Sequence, residues 1–167
     1  WYLATIEDRA TRQVVAARIG KRHDSQLVLE TLKQALATQP PPTIFHSDQG
    51  TEFMAQRCTD YLQQRGVRIS VSDVASPWQN GHIESFFGRF KHEFGDINRF
   101  VTAGEMVAAI YHHICYYNHR RIHTVLKMPP TVFAAQAVLD TRLHILGTGQ
   151  VHQSDFLENT TFSQCIR

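Results

Sequence analysis

His46-Ser47-Asp48-Gln49-Gly50-Thr51-Glu52-Phe53 follows a short apolar run, and Ser76-Pro77-Trp78-Gln79-Asn80-Gly81-His82-Ile83-Glu84-Ser85-Phe86-Phe87 opens a helical pattern. The first segment sets a carboxylate just beyond a strand. The second sets one on the first turn of a helix, and 35 residues, 49 to 83, separate Asp48 from Glu84. Ile83, Phe87, Phe90 and Phe94 recur at steps of four, three and four, which makes one aromatic stripe. Glu84, Gly88 and Lys91 fall on an adjoining face, whole turns apart. Such a helix buries its phenylalanines and leaves Glu84 free. Taken singly, Asp48 fits ordinary turn chemistry and Glu84 fits the positive end of a helix macrodipole. As a pair, the two carboxylates suit a hard cation and metal-dependent phosphoryl chemistry on a nucleic-acid backbone.

Outward from this pair, the chain alternates strand and helix. Tyr2 to Ile6 and Gln13 to Ile19 are short runs rich in Val, Ile and Tyr, joined as a hairpin by the polar residues Glu7 to Arg12. Asp24 or Ser25 caps a helix whose Val28/Leu29, Leu32 and Ala35/Leu36 share a face. Pro40 to Pro42 forbid helix and deliver the chain extended into the strand Thr43-Ile44-Phe45. A helix is expected over Glu52 to Arg65, with Met54, Cys58 and Tyr61/Leu62 inward and Gly66 as its stop. Val67 to Val71 is a strand, and Ser72 to Gly81 is a loop before the helix His82 to Phe94. Helices follow near Ala103 to Tyr117 and Pro130 to Leu139, whereas Thr141 to Arg167 has no clear pattern. Early alternation and late helices predict an α/β sheet with a helical flank.

Composition narrows the class. The 167 residues are 43% hydrophobic and 19% charged, which is the balance of a globular domain and not of a disordered chain. No apolar run approaches the roughly 20 residues that cross a bilayer. A formal charge of +2 permits nucleic acid without demanding it. Cys58, Cys115 and Cys165 are scattered and odd in number, which suits free thiols in a reducing cytoplasm.

The two quoted segments, in this order and at this spacing, resemble the second and third parts of a DDE integrase core, as found in bacterial insertion-sequence transposases of the retroviral-integrase-like group. Tyr116-Tyr117-Asn118-His119-Arg120-Arg121-Ile122-His123 with Pro129-Pro130-Thr131-Val132-Phe133 is similar to the end of that core. The resemblance covers residues 1–137 and leaves 138–167 as a C-terminal tail of unknown role. It implies a ribonuclease-H-like mixed sheet flanked by helices, in which Asp48 and Glu84 are catalytic metal ligands. It further implies Mg²⁺ or Mn²⁺ as cofactor, with a two-metal site only in a complete core. The partners implied are DNA, as transposon ends and target, and further copies of the full protein, in a bacterial cytoplasm. Lys91, Arg120 and Arg121 are the expected DNA contacts, and Asn80 with Gly81 a hinge for the loop before the catalytic helix.

A third carboxylate is expected on the first, central strand of that fold, in a Thr-Asp-Ile-Thr-like motif. The nearest acid, Asp8 in Ile6-Glu7-Asp8-Arg9, follows the strand Tyr2 to Ile6 and belongs to the hairpin turn. The resemblance therefore implies an N-terminally truncated core whose first strand lies upstream of Trp1. The sheet would then either expose edges around a gap or close it by rearranging. Either the chain is a fragment of an enzyme for DNA cleavage and strand transfer, or it is an inactive remnant that binds DNA or self-associates. No Mg²⁺-dependent cleavage is expected of it alone. His112, Cys115, His119 and His123 have spacings that would line one face of an unbroken helix, but the segment Asn118 to His123 resembles a post-helix stretch that breaks it.

Overall fold

The computed structural model describes residues 1–72, 81–148 and 161–166. Hairpin strands β1 (Tyr2–Asp8) and β2 (Val14–Gly20) lead into α1 (Ser25–Thr38), β3 (Ile44–Ser47), α2 (Gln56–Gln63) and β4 (Arg68–Val71). Then come α3 (Gly81–Phe94), a 3₁₀ turn (Ile97–Arg99), α4 (Ala103–His119), α5 (Pro130–Thr148) and β5 (Thr161–Ile166). The strands form one mixed sheet in the order β2-β1-β5-β3-β4. Residues 161–166, which carry no strand signal in the sequence, thus hold its centre. β5 runs antiparallel to β1, with Ala4 opposite Ile166 and Asp8 opposite Phe162. It runs parallel to β3, from Ile44 beside Thr161 to Ser47 beside Gln164. The expected open slot is therefore closed, and strand pairing explains why: both neighbours present unpaired N–H and C=O groups to the same space.

Helices cover both faces of the sheet. On one, Ala4, Ile6, Ala16 and Phe45 meet Val28, Leu32 and Ala35 of α1 and Cys58 and Leu62 of α2. On the other, Leu3, Val14 and Ala17 meet Ile83, Phe86 and Phe87 of α3 and Met106, Ile110 and Tyr117 of α4. Each fully buried large side chain contributes roughly 1.5–3 kcal/mol. The aromatic stripe is in place, with Phe90 half-buried and Phe86 joining it in the core. Asp24 caps α1 by accepting from Leu27 N–H, and Thr102 and Glu105 form a reciprocal capping box on α4.

Strand ends shift by one or two residues from those read in the sequence, and two helix boundaries shift further. Helix α2 starts at Gln56, because Phe53 and Met54 both donate to the Gly50 carbonyl and turn the chain. Phe53 is buried in consequence, while Met54, expected inside, is 44% exposed. Helix α5 continues through Leu139 to Thr148. Asn118 near the end of α4 closes the outer edge of the sheet: Val14 N–H donates to its Oδ1 at 2.9 Å, and its Nδ2 donates to Val14 O at 2.8 Å.

Ending the chain at Thr148 removes β5 and leaves β1 and β3 unpaired on facing edges. At about 0.5–1.5 kcal/mol per lost backbone bond, stability falls by several kcal/mol. A clear drop in urea midpoint together with self-association in light scattering is expected. A monomer with an unchanged midpoint would contradict the placement of β5.

Candidate active site

Asp48 is the first residue beyond β3, and its loop is tightly tied. Gly50 N–H donates to Asp48 Oδ1 at 3.0 Å, closing a turn over the carboxylate. Glycine is needed at 50, because a Cβ there would lie 2.6 Å from Glu52 Oε1 and 2.9 Å from Phe53 Cδ2. Gln49 Nε2 donates to Ser72 O at 3.1 Å, and His46 sits between Ser70 and Ser72, 3.0 Å from each hydroxyl. These bonds couple the end of β3 to the end of β4. The second oxygen of Asp48 bonds no described residue.

Glu84 lies on the first turn of α3, partly exposed, and makes no hydrogen bond or ion pair to a described residue. Helix α3 packs against β5, the strand beside β3, so the element bearing Glu84 overlies the neighbour of the strand that ends at Asp48. The two carboxylates supply hard oxygen donors, the type that Mg²⁺ and Mn²⁺ accept while keeping several waters. Among the described residues no three of His, Cys, Asp and Glu gather closely enough to hold a metal. These donors fit a water-rich cation and do not fit a closed cage.

The other sequence-derived site residues spread around this pair. Lys91 is exposed on α3, and Arg120 is exposed just after α4. Arg121 is already engaged: its Nε and Nη2 reach the Glu93 carboxylate at 2.8 and 2.7 Å, tying α3 to the end of α4. That hydrogen bond holds the Glu93 carboxyl below the usual range. Gly81 begins α3, with open space around its Cα, while Asn80 lies outside the described residues. Asp8 stands at the hairpin turn, where its Oδ1 accepts from Ala10 N–H at 2.9 Å. Helix α4 ends at His119, so His123 is off the face shared by His112, Cys115 and His119. His123 Nδ1 instead faces Val125 N–H at 3.3 Å.

Glu7 was not singled out by the sequence reading. It is 1% exposed, its Oε2 has no hydrogen-bond partner among the described residues, and burial raises its carboxyl to about 8. Strand alternation carried the signal, since Leu3, Thr5 and Glu7 must share the face covered by α3 and α4.

Integrase core domain models match residues 1–77 and residues 65–130. The chain belongs to the integrase core family. An uncharacterized transposase-like protein of Haemophilus influenzae is 31% identical over 139 residues, covering 82% of this chain and 64% of that protein. The transposase for insertion sequence element IS904 of Lactococcus lactis is 32% identical over 128 residues, 75% of this chain and 51% of its own length. The chain thus spans roughly half to two-thirds of these relatives. The catalytic core domain of HTLV-2 integrase, solved with magnesium in a trimeric form, superposes with a TM-score of 0.61 at 15% identity, covering 79% of this chain and 84% of that one. The fold is ribonuclease-H-like. No described helix of this integrase core is long and apolar enough to cross a membrane.

A carboxyl raised from 4.5 to about 8 binds more protons in the folded than in the unfolded state. Stability therefore declines as pH climbs from 4.5 through 8, by a few kcal/mol in all. Glu7→Gln removes that loss. The variant is expected to raise the urea midpoint clearly at pH 8.5 and only slightly at pH 4.5. Equal shifts at both pH values would show that Glu7 is not buried as a neutral acid.

Proposed function

We propose that residues 1–137 form the core of an enzyme that cuts and joins DNA strands during movement of a bacterial insertion element, with residues 138–167 lending the sheet a strand. Asp48 and Glu84 are its catalytic carboxylates and the residues that hold a divalent cation. The observation that carries this reading is the pair itself: two carboxylates with an oxygen that bonds no described residue, one beyond β3 and one opening α3, within an integrase core fold. A bound Mg²⁺ or Mn²⁺ would lower the cost of charge on the attacking and leaving oxygens of a phosphodiester. The Gly50–Asp48 turn and the Gln49–Ser72 bond fix the first carboxylate in place. The helical frame of α3 fixes the second, with Lys91 two turns on as a phosphate contact.

Arg120 offers a further phosphate contact, and Arg121 serves DNA only where its Glu93 pair opens. Asn80 and Gly81 hinge the loop that leads into α3. The partners are element ends and target DNA in the bacterial cytoplasm, engaged by several copies of the full protein. HTLV-2 integrase core in its trimeric form and a simian T-cell lymphotropic virus intasome share the fold, the latter with a TM-score of 0.64 at 19% identity over 78% of this chain and 47% of that one.

One observation favours a second reading for the 167-residue chain on its own. β5, Thr161-Phe162-Ser163-Gln164-Cys165-Ile166, fills the centre of the sheet and contains no carboxylate. A chain so completed binds DNA and one weakly held cation without cutting. Calorimetric titration with Mn²⁺ is expected to show binding that weakens at least tenfold, about 1.4 kcal/mol, in Asp48→Asn and Glu84→Gln. Incubation with element-end DNA and Mg²⁺ should leave the strands intact. Cleavage that vanishes in Glu84→Gln would make this chain an active enzyme, and Mn²⁺ binding indifferent to both variants would remove the metal assignment.

A further inference from the structure

A second polar cluster lies on the other flank of α3. A cavity of about 100 Å³ opens between the β1–β2 hairpin, α3 and the loop after α4, and Glu7, Arg12, Ser85, Arg89, His123 and Thr124 line it. Two buried polar atoms there, Glu7 Oε2 and Arg12 Nη1, have no hydrogen-bond partner among the described residues. Leaving such atoms unmatched costs roughly 1–3 kcal/mol each, more for a charged group. A native cluster that tolerates the cost invites a ligand to satisfy it.

Arg12 adds an independent sign. Its φ is +62°, in the left-handed region where a residue other than Gly, Asn or Asp is disfavoured by about 1–2 kcal/mol. Asp8 O accepts from Arg12 N–H at 2.7 Å, so the hairpin fixes this conformation. A glycine or asparagine would close the same turn with less strain. The arginine side chain lies in the cavity wall.

The lining is rich in donors and positive charge. Arg12 comes from the hairpin and Arg89 from α3, where Arg89 Nη2 also donates to Thr124 Oγ1 at 3.2 Å. The Ser85 hydroxyl sits beside them. Glu7, the one acid in the lining, is held mainly neutral at pH 7 by burial, so it offers an O–H and not a repelling charge. Two guanidiniums, a carboxyl O–H and hydroxyls converging on a space this small suit a compact anion with several oxygens.

We propose that this cavity binds a phosphate group, held by Arg12 and Arg89. Ser85 directly follows Glu84, and Arg89 lies five residues beyond it, about 7.5 Å along the helix axis. One strand of DNA crossing α3 could therefore present one phosphate to the Asp48–Glu84 pair and a nearby one to this cavity. That source rests on the DNA reading above. The phosphate site itself does not.

The test uses the full 167-residue chain with two probes. Inorganic phosphate is titrated while amide NMR shifts are followed, for the parent, Arg12→Asn, Arg89→Gln and the distant control Lys33→Gln. Asn suits the left-handed backbone at 12, so the first variant removes the guanidinium without new strain. Saturable shifts around Ser85 and Thr124 are expected, weakened about tenfold or more in both arginine variants and unchanged in Lys33→Gln. If Arg12→Asn fails to fold, the half-exposed Arg89 still decides the matter. No saturable shift, or shifts indifferent to Arg89→Gln, would overturn the proposal. A short DNA duplex is then titrated at several salt concentrations. A log–log salt slope reduced by about one in Arg89→Gln assigns the phosphate to the DNA backbone. An unchanged slope with phosphate binding lost keeps the cavity but overturns DNA as its source. Phosphate binding in a chain that ignores DNA overturns the DNA reading while the cavity stands.

Discussion

Everything in this fold depends on filling one place in the sheet, between β1 and β3. The two strands run in opposite directions, so the occupant must pair antiparallel with one and parallel with the other. Hydrogen bonding in the two ladders has different geometry, evenly spaced and slanted on the parallel side and in alternating close and wide pairs on the antiparallel side. Here residues 161–166 pair with both. They join the β1–β2 hairpin to the β3–β4 pair, and without them the sheet is two unconnected halves. Helix α3 packs on β5, so the position of Glu84 follows from the same strand.

The closure solves the backbone problem without supplying chemistry. Its sequence brings no acid, so the proposed site rests on the pair that β3 and α3 deliver. Asp48 is held by its own turn and Glu84 by its helix, and neither forms an ion pair with a described residue. Positive charge is arranged otherwise: Arg121 is spent on Glu93, whereas Lys91 and Arg120 remain exposed. The half-exposed Arg89 on the flank of α3 lines a cavity rich in donors.

Much of this was legible in the sequence because local rules govern it. The period of Ile83, Phe87, Phe90 and Phe94 fixed the buried face of α3, and the prolines before Thr43 fixed where β3 begins. The positions of Asp48, just beyond β3, and Glu84, on the first turn of α3, were readable from their flanks. What escaped reading is tertiary. Thr161 to Ile166 alternates polar and apolar residues too briefly to be read as a strand, and the demand of two distant edges makes it one. Met54 matched a helical face, but the turn anchored on Gly50 prevented the helix from starting there. Glu7 passed as part of a polar connection, since its burial depends on helices about eighty residues and more further along the chain. Arg121 looked like a free cation because its partner, Glu93, stands on another helix.

The central claim is that Asp48 and Glu84 share one divalent cation. Fe²⁺ can substitute for Mg²⁺ at oxygen sites and, with ascorbate and peroxide, breaks the nearby backbone. Mapping the fragments by mass spectrometry tests the claim directly. Breaks confined to the neighbourhoods of residues 48 and 84, both suppressed by excess Mg²⁺ and both lost in Glu84→Gln, are the predicted result. Breaks at only one of the two positions, or at neither, would contradict it.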